Sequence, residues 1–301
     1  MAPIITDLKN DFRRASISQQ FIYINCGIFV VTALVAIVRM LFNVGNYSWM
    51  EWLELPAWLP QFIKQPWSLV TYMFLHAGLF HLLFNMLWLY SFGQLFLMFF
   101  SARHFRGLYF LGGICGGLLY MLGYNVFPYF EPYLYDSYLL GASASVLAIV
   151  IATAVREPEY RVNLLLFGQI RLKYLALVVV VTDLLFITSN NAGGHIAHLG
   201  GALAGWWFAR GIAKGYDITH WVNVCMDALG SLFRKRERKT RRPRMKVHVN
   251  NASGRKADYE YNARKKEQSD EVDRILEKLK KSGYSSLTDN EKRRLFDASK
   301  N

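Results

Sequence analysis

The sequence predicts an all-α polytopic membrane protein with six transmembrane helices followed by a small helical hairpin. Three observations lead there. The 301 residues are 53% hydrophobic and only 19% charged, too apolar a balance for two ordinary soluble domains. The apolar residues gather into runs at 21–42, 68–98, 105–125, 139–155, 172–189 and 194–212. Most of these approach the ~20 residues that cross about 30 Å of hydrocarbon. The formal charge of +13 is unevenly shared: residues 1–212 hold 12 Lys/Arg and 9 Asp/Glu, whereas residues 213–301 hold 23 and 13. The basicity therefore belongs mainly to a tail. This composition excludes a small disulfide-built secreted module and a wholly disordered polybasic chain. Cys26, Cys115 and Cys225 form no CxxC pair, so neither a cysteine zinc site nor a disulfide framework is indicated.

In chain order, residues 1–20 form a polar segment containing Lys9, Arg13 and Arg14. The apolar run that follows is longer than a signal-peptide core and no small-x-small site closes it, so it reads as a first span. Residues 21–212 then make one six-span domain. Basic residues collect on the cytoplasmic side of short loops. With the N-terminus inside, ten Lys/Arg fall on the inner side and only Arg39 and Lys64 outside. Both termini are then expected in the cytoplasm, and the expected location is a bacterial inner membrane crossed several times. The 43–67 loop carries Trp49, Trp52, Trp58 and Trp67, residues suited to the outer headgroup layer.

Residues 213–246 begin with Ile218, Trp221, Cys225, Ala228, Leu232 and Phe233 on or near one helical stripe, as in an inner interfacial helix. The stretch RKRERKTRRPRMK at 234–246 has nine bases and one acid, a composition that meets anionic lipid headgroups. No nucleic-acid binding is expected, because no aromatic or motif pattern accompanies these charges. Residues 247–268 read as a linker. In 269–301, Ser269 or Asp270 caps a helix with Val272, Ile275, Leu276 and Leu279 on one face, and Gly283 stops it. Thr288 to Glu291 is a capping box for a second helix that turns Leu295, Phe296 and Ala298 inward. So few apolar side chains are marginal alone, and the hairpin is expected to dock on the membrane domain, a second copy or another protein. The sequence sets no oligomeric state.

The informative residues are those a bilayer penalises: His76, His81 and Asn85 in the second run, Ser143 and Ser145 in the fourth, Asp183 in the fifth, and His195 and His198 in the sixth. The second, fourth and sixth spans all enter from the outer side, which brings His81, Ser143 and His198 to a similar shallow depth, Ser143 and His198 roughly 5–10 Å along their helices. With PWSLVTYMFLHAGLFHLLFNMLWLY (66–90), GASAS (141–145) and AHLGGALAG (197–205), the chain resembles a rhomboid intramembrane serine protease. The resemblance implies Ser143 as nucleophile and His198 as general base. It also implies His81, Asn85 and the Ser143 N–H as oxyanion donors. The AHLGG context selects His198 over its neighbour His195. The C-terminal segment resembles a small tail domain found on rhomboids of Bacteroidetes-like bacteria, which carries no implication for activity.

The chemistry supports those roles independently. A serine hydroxyl becomes a good nucleophile when a neutral histidine removes its proton. The oxyanion that follows needs aimed donors in a low-dielectric site. Asn85 lies four residues after His81, so one helical face presents both. A helix N-terminus at Ser143 adds unpaired N–H groups. Gly201 and Gly205 form GxxxG after His198 and allow close approach to the Ser143 span, where Gly141, Ala142, Ala144 and Ala148 are also small. His76 is expected to brace the outer loop. Asp183 needs a partner or a proton in a span; orienting a histidine and packing are both open to it, and it is given a structural role. No cofactor is expected, and a serine with two histidines on separate helices is no zinc set.

The expected function is therefore cleavage of single-span membrane proteins near the outer face of the membrane. The substrate helix must unwind there, because a hydrogen-bonded helix shields its carbonyls. Three positions depart from the family pattern. Ser68 follows Trp67 where many relatives have arginine, and Ala144 follows Ser143 where many have glycine. No glutamate stands near the start of the third span, around Phe96 and Leu97. The alternative function is a catalytically inactive rhomboid-like binder of transmembrane clients.

Overall fold

The computed structural model describes residues 2–44, 49–164, 168–233 and 253–298. They fall into two units, Met1–Lys235 and Arg236–Asn301. The polybasic stretch 234–246 lies outside the described residues.

In the first unit, α1 (Ala2–Arg14) passes into α2 (Ile17–Leu41) through a capping box, in which Ser16 and Gln19 each accept the other's backbone N–H. Next come β1 (Leu55–Pro56), α3 (Leu59–Lys64), α4 (Ser68–Thr71), α5 (Leu79–Phe99) and α6 (Ala102–Val126). They are followed by β2 (Tyr138–Leu139), α7 (Ser143–Arg156), the β3 (Arg161–Leu164) and β4 (Gly168–Arg171) hairpin, α8 (Leu172–Leu185), α9 (Ala192–Ala213) and α10 (His220–Phe233). Of the described helices, α2, α5 and α6 are long and apolar enough to cross a membrane, and α7 is apolar but shorter. With α8 and α9 they form the six-helix core of an all-α polytopic membrane protein. On α2, Val30, Val31, Leu34, Ile37 and Val38 are exposed, a surface suited to lipid.

Two expected spans differ. The 68–98 run breaks, because α4 gives way to a 3-10 turn at Tyr72–Phe74 and α5 starts only at Leu79. Irregular backbone at membrane depth persists only where protein satisfies it. Here the Tyr72 carbonyl accepts the Gly141 N–H at 2.9 Å and the Met73 carbonyl accepts the Tyr109 hydroxyl at 3.1 Å. The other difference is α7, whose 14 residues reach about 21 Å. Ser143 is its first residue, not 5–10 Å along it.

Helices α6, α7 and α9 pack through small residues. An ideal Cβ at Gly201 would stand 2.1 Å from the Ala144 carbonyl oxygen, and one at Gly205 would stand 2.2 Å from that of Ala148. On α6, a Cβ at Gly112 would meet the Ala148 methyl at 2.4 Å, and one at Gly116 the Ala144 methyl at 2.6 Å. The Ala144 methyl fits at this contact because Gly116 leaves room for it.

The 43–67 loop is held down by side chains. Gln65 Nε2 donates to the carbonyls of Glu51 and Glu54, Trp67 Nε1 to that of Trp52, and the Thr71 hydroxyl to that of Leu53 at 2.6 Å. β1 and β2 pair antiparallel, Leu55 with Leu139 and Pro56 with Tyr138. These contacts anchor the loop ahead of Ser68, which is itself buried. Phe96 belongs to the buried side of α5. At the start of α6, Arg103 and Arg106 pair with Asp227 of α10. On α10 the expected stripe is outward: Trp221, Cys225 and Ala228 are exposed with Val224 and Leu229, while Val222 and Asn223 are buried.

In the second unit, α11 spans Ser253–Ser282. The expected 247–268 linker is thus helical from Ser253, and Ser269 and Asp270 lie inside the helix rather than at its cap. Polar helix formers fill that stretch, so helical propensity prevails without an apolar stripe. Gly283, at φ +75°, ends it. α12 (Asp289–Ala298) opens on the Thr288–Glu291 capping box. Among the described residues of this unit, Ile275 and Leu287 are the buried apolar ones, whereas Leu276 and Phe296, expected inward, are exposed.

Gly201→Ala is expected to lower the thermal midpoint of the detergent-solubilised protein by the equivalent of about 1–3 kcal/mol of overpacking. Gly27→Ala, with nothing within 4 Å, should leave it unchanged or raised, since alanine is the better helix former. Equal effects in tryptophan-fluorescence melts would contradict the packing. In the hairpin, the backbone N–H of Thr288, then Lys278, hold the Glu291 carboxyl down at about 2 against a usual 4.5. The capping box therefore stabilises α12 fully above about pH 4.5, and that contribution is lost as pH falls toward 2. Carbon-13 NMR of the Glu291 carboxylate should titrate near 2, and a midpoint near 4.5 would contradict the cap.

Candidate functional site

One cavity of about 330 Å³ gathers His81 and Asn85 from α5, Ser143 from α7 and His198 from α9. These side chains come from positions 81 to 198 and meet because α7 and α9 are in backbone contact. His198 stands one turn before Gly201, and Ser143 one residue before Ala144, so the contact that joins the helices also sets the pair in register. Apolar walls come from Phe84 and Trp88 of α5, Val146 and Leu147 of α7, and Val179 of α8. Ser143 and His198 are not hydrogen-bonded to each other, and ligand-free sites are commonly loose in this way.

Ser143 opens α7, and the first intrahelical bond runs from Val146 N–H to the Ala142 carbonyl. The N–H groups of the first turn therefore have no partner within the helix. Gly141 precedes it at φ +134°, a conformation that glycine adopts freely. A Cβ there would lie 3.0 Å from His81 Cε1, 3.1 Å from His81 Nε2 and 3.6 Å from Ser143 Oγ. The His81 ring and the Ser143 hydroxyl thus flank one small space that only glycine leaves open. His81 Nδ1 accepts the Ala77 N–H at 3.4 Å, which leaves Nε2 as the protonated, donating nitrogen. Asn85 Nδ2 gives one proton to the His81 carbonyl at 2.8 Å and keeps a second.

A second, more polar cavity of about 540 Å³ shares His81, Leu140, Asn191 and Gly194 with the first. Asp136, Ser137 and Asn190 line its far side, and these groups suit water. His76, expected to brace the outer loop, is buried with its ring against that of His81, centroids 5.2 Å apart.

Asp183, on α8, is 4% exposed. Its Oδ1 lies 2.8 Å from Nδ1 of both His195 and His198. Sequence spacing did not disclose this pairing, because it depends on how α8 lies against α9; the signal available was a lone carboxylate in an apolar run. His198 lines the cavity that holds Ser143, and His195 does not; its ring lies against Phe186, with centroids 5.9 Å apart. Asp183, His195 and His198 are the group among the described residues whose metal-ligating atoms fall within 4.8 Å of one another. Two ligands of a tetrahedral zinc stand ~3.3 Å apart at its usual bond lengths, so separations of 2.8 Å are those of hydrogen bonds.

A family model described as the Rhomboid domain matches residues 64–215. A second, a family of unknown function (DUF6576), matches residues 256–301. The chain is 28% identical over 186 residues to "Rhomboid protease GlpG" of Yersinia enterocolitica, covering 62% of this chain and 63% of that one. It is 28% identical over 144 residues to "RHOMBOID-like protein 12, mitochondrial" of Arabidopsis thaliana, covering 45% and 43%. It is 25% identical over 153 residues to the human "Presenilin-associated rhomboid-like protein, mitochondrial", covering 50% and 38%. The matched region thus spans between 38% and 63% of the length of these relatives.

Proposed function

The chain belongs to the rhomboid family, and from that premise we propose that it is an intramembrane serine endopeptidase cleaving single-span membrane proteins near the outer face of the membrane. The observation that carries this reading is the shared cavity of Ser143, His198, His81 and Asn85. Ser143 Oγ attacks the scissile carbonyl while His198 accepts its proton. The oxyanion forms beside His81 Nε2–H, Asn85 Nδ2–H and the Ser143 N–H, donors fixed before the charge develops. His198 then returns the proton to the leaving amine. Water activated by the same histidine hydrolyses the ester and restores Ser143. The polar cavity beside His81 supplies a route for that water.

The apolar walls of the site suit a substrate segment taken from lipid, and the extended backbone needed at Ser143 favours small or helix-destabilising residues there. The bias of basic residues supports an orientation with both termini in the cytoplasm, and we place the chain in a bacterial inner membrane. The exposed apolar stripe of α10 and the 234–246 stretch would rest on anionic headgroups on the inner side. A catalytically inactive client binder is the second reading, favoured by the departures from the family pattern at Ser68 and Ala144.

Purified protein in liposomes, incubated with a panel of single-span substrates, separates the two. Proteolysis requires a product that S143A and H198A both abolish. N85A is expected to lower kcat by about 10²–10³-fold, the usual cost of one oxyanion donor. Client binding without product from the wild type, across the panel, would favour the binder. A chelator should leave cleavage unchanged, and a chelator-sensitive reaction would sink the serine mechanism.

A further inference from the structure

The buried carboxylate on α8 does more than fill a polar gap. Asp183 Oδ1 stands 2.8 Å from Nδ1 of His198 and 2.8 Å from Nδ1 of His195, while Oδ2 is buried without a hydrogen-bond partner. A carboxylate out of water needs donors, and the nitrogens within reach of Oδ1 are these two. An ionised Asp183 therefore holds both histidines in the tautomer with the proton on Nδ1. In that tautomer Nε2 carries the lone pair. His198 is the member of the pair that lines the Ser143 cavity, so its basic nitrogen is the one left for the serine.

We propose that Asp183 is a positioning residue for the base, fixing the tautomer and ring orientation of His198 through Nδ1–H···Oδ1, with His195 as a second donor that holds the same oxygen in place. The proposal rests on the proteolytic reading and extends the serine–histidine pair to a third, buried member. The geometry explains why two histidines one turn apart are present but only one lines the Ser143 cavity. His195 is occupied by the carboxylate on one side and lies against Phe186. His198 is held by the carboxylate and also open to the cavity. A protonated Asp183 would reverse the argument, because a single O–H donates to one histidine and turns that Nδ1 into an acceptor. The tautomer of His198 therefore decides between the two cases.

The test begins on the wild type, where folding is not in question. Nitrogen-15 histidine NMR of the full chain in micelles, assigned by difference from H195Q and H198Q, should find His198 protonated at Nδ1 and bare at Nε2 at neutral pH. His198 protonated at Nε2 overturns the proposal. The second measurement is the rate at which a fluorophosphonate labels Ser143. D183N, which offers an amide N–H in place of a carboxylate oxygen, should slow labelling by about 10²–10⁴-fold with the thermal midpoint retained. D183E should recover at least about tenfold of that loss. Labelling of a folded D183N within about threefold of wild type overturns the proposal. If D183N does not fold, the wild-type tautomer decides. Absence of any H198A-sensitive labelling in wild type removes the proteolytic reading instead, and is distinguished by the tautomer measurement, which needs no turnover.

Discussion

The contact on which the site depends is the backbone approach of α9 to α7, where Gly201 and Gly205 face the carbonyl oxygens of Ala144 and Ala148. Lipid tails are as apolar as leucine, so burying hydrocarbon gives membrane helices little reason to associate, and close packing has to supply it. The same contact also sets the site. One turn separates His198 from Gly201 and one residue separates Ser143 from Ala144, so these two side chains cannot be moved apart without opening that contact. On the other side of α7, Gly112 and Gly116 of α6 accept the methyls of Ala148 and Ala144. α7 is thereby held between two glycine-bearing helices, and all its residues from Ala144 to Ala154 are buried.

A second constraint is the satisfaction of polar backbone where helix is interrupted. The break between α4 and α5 frees carbonyls at Tyr72 and Met73, and these bind Gly141 N–H and the Tyr109 hydroxyl. The first of these bonds joins the break directly to the turn before Ser143. The Tyr72 hydroxyl in turn donates to the Gly113 carbonyl at 2.6 Å. Interrupting the second span costs helical hydrogen bonds, but it lets His76 and His81 pack ring against ring, with His81 beside Gly141, and opens α5 close to the Ser143 cavity.

What was legible in the sequence was what local pattern encodes. The apolar runs, the Thr288–Glu291 capping box, the Gly201/Gly205 spacing and the chemistry-bearing serine and histidines are properties of neighbouring residues. What was not legible depends on partners distant in the chain. The 68–98 run is uniformly apolar, so nothing in its period marks the break that Tyr109 and Gly141 stabilise. The run at 139–155 does not disclose that its first four residues are strand end and loop, with Leu139 paired to Leu55. In the C-terminal unit, Leu287 outside both helices is buried and Phe296 inside one is exposed, because so short a hairpin closes on its connecting turn. Asp183 was visible as an anomaly in the fifth run, but its partners follow only from the packing of α8 on α9.

The distribution of charge follows from the same geometry. Arg103 and Arg106 open α6, Arg156 closes α7 and Arg210 lies in the last turn of α9, all at the end of the core away from Ser143. At the other end the cavity gathers His81, Asn85, Ser143 and His198, and the buried Asp183 carboxyl is hydrogen-bonded to His195 and His198. The arrangement suits a reaction that creates an oxyanion and an imidazolium together. Interactions with fixed dipoles strengthen as the dielectric falls, and α7 opens at Ser143 in a cavity walled by Phe84, Trp88, Val146, Leu147 and Val179. Under the proteolytic reading proposed above, the polar cavity beside His81 complements the apolar walls, because an ester intermediate needs water that an apolar pocket alone would exclude.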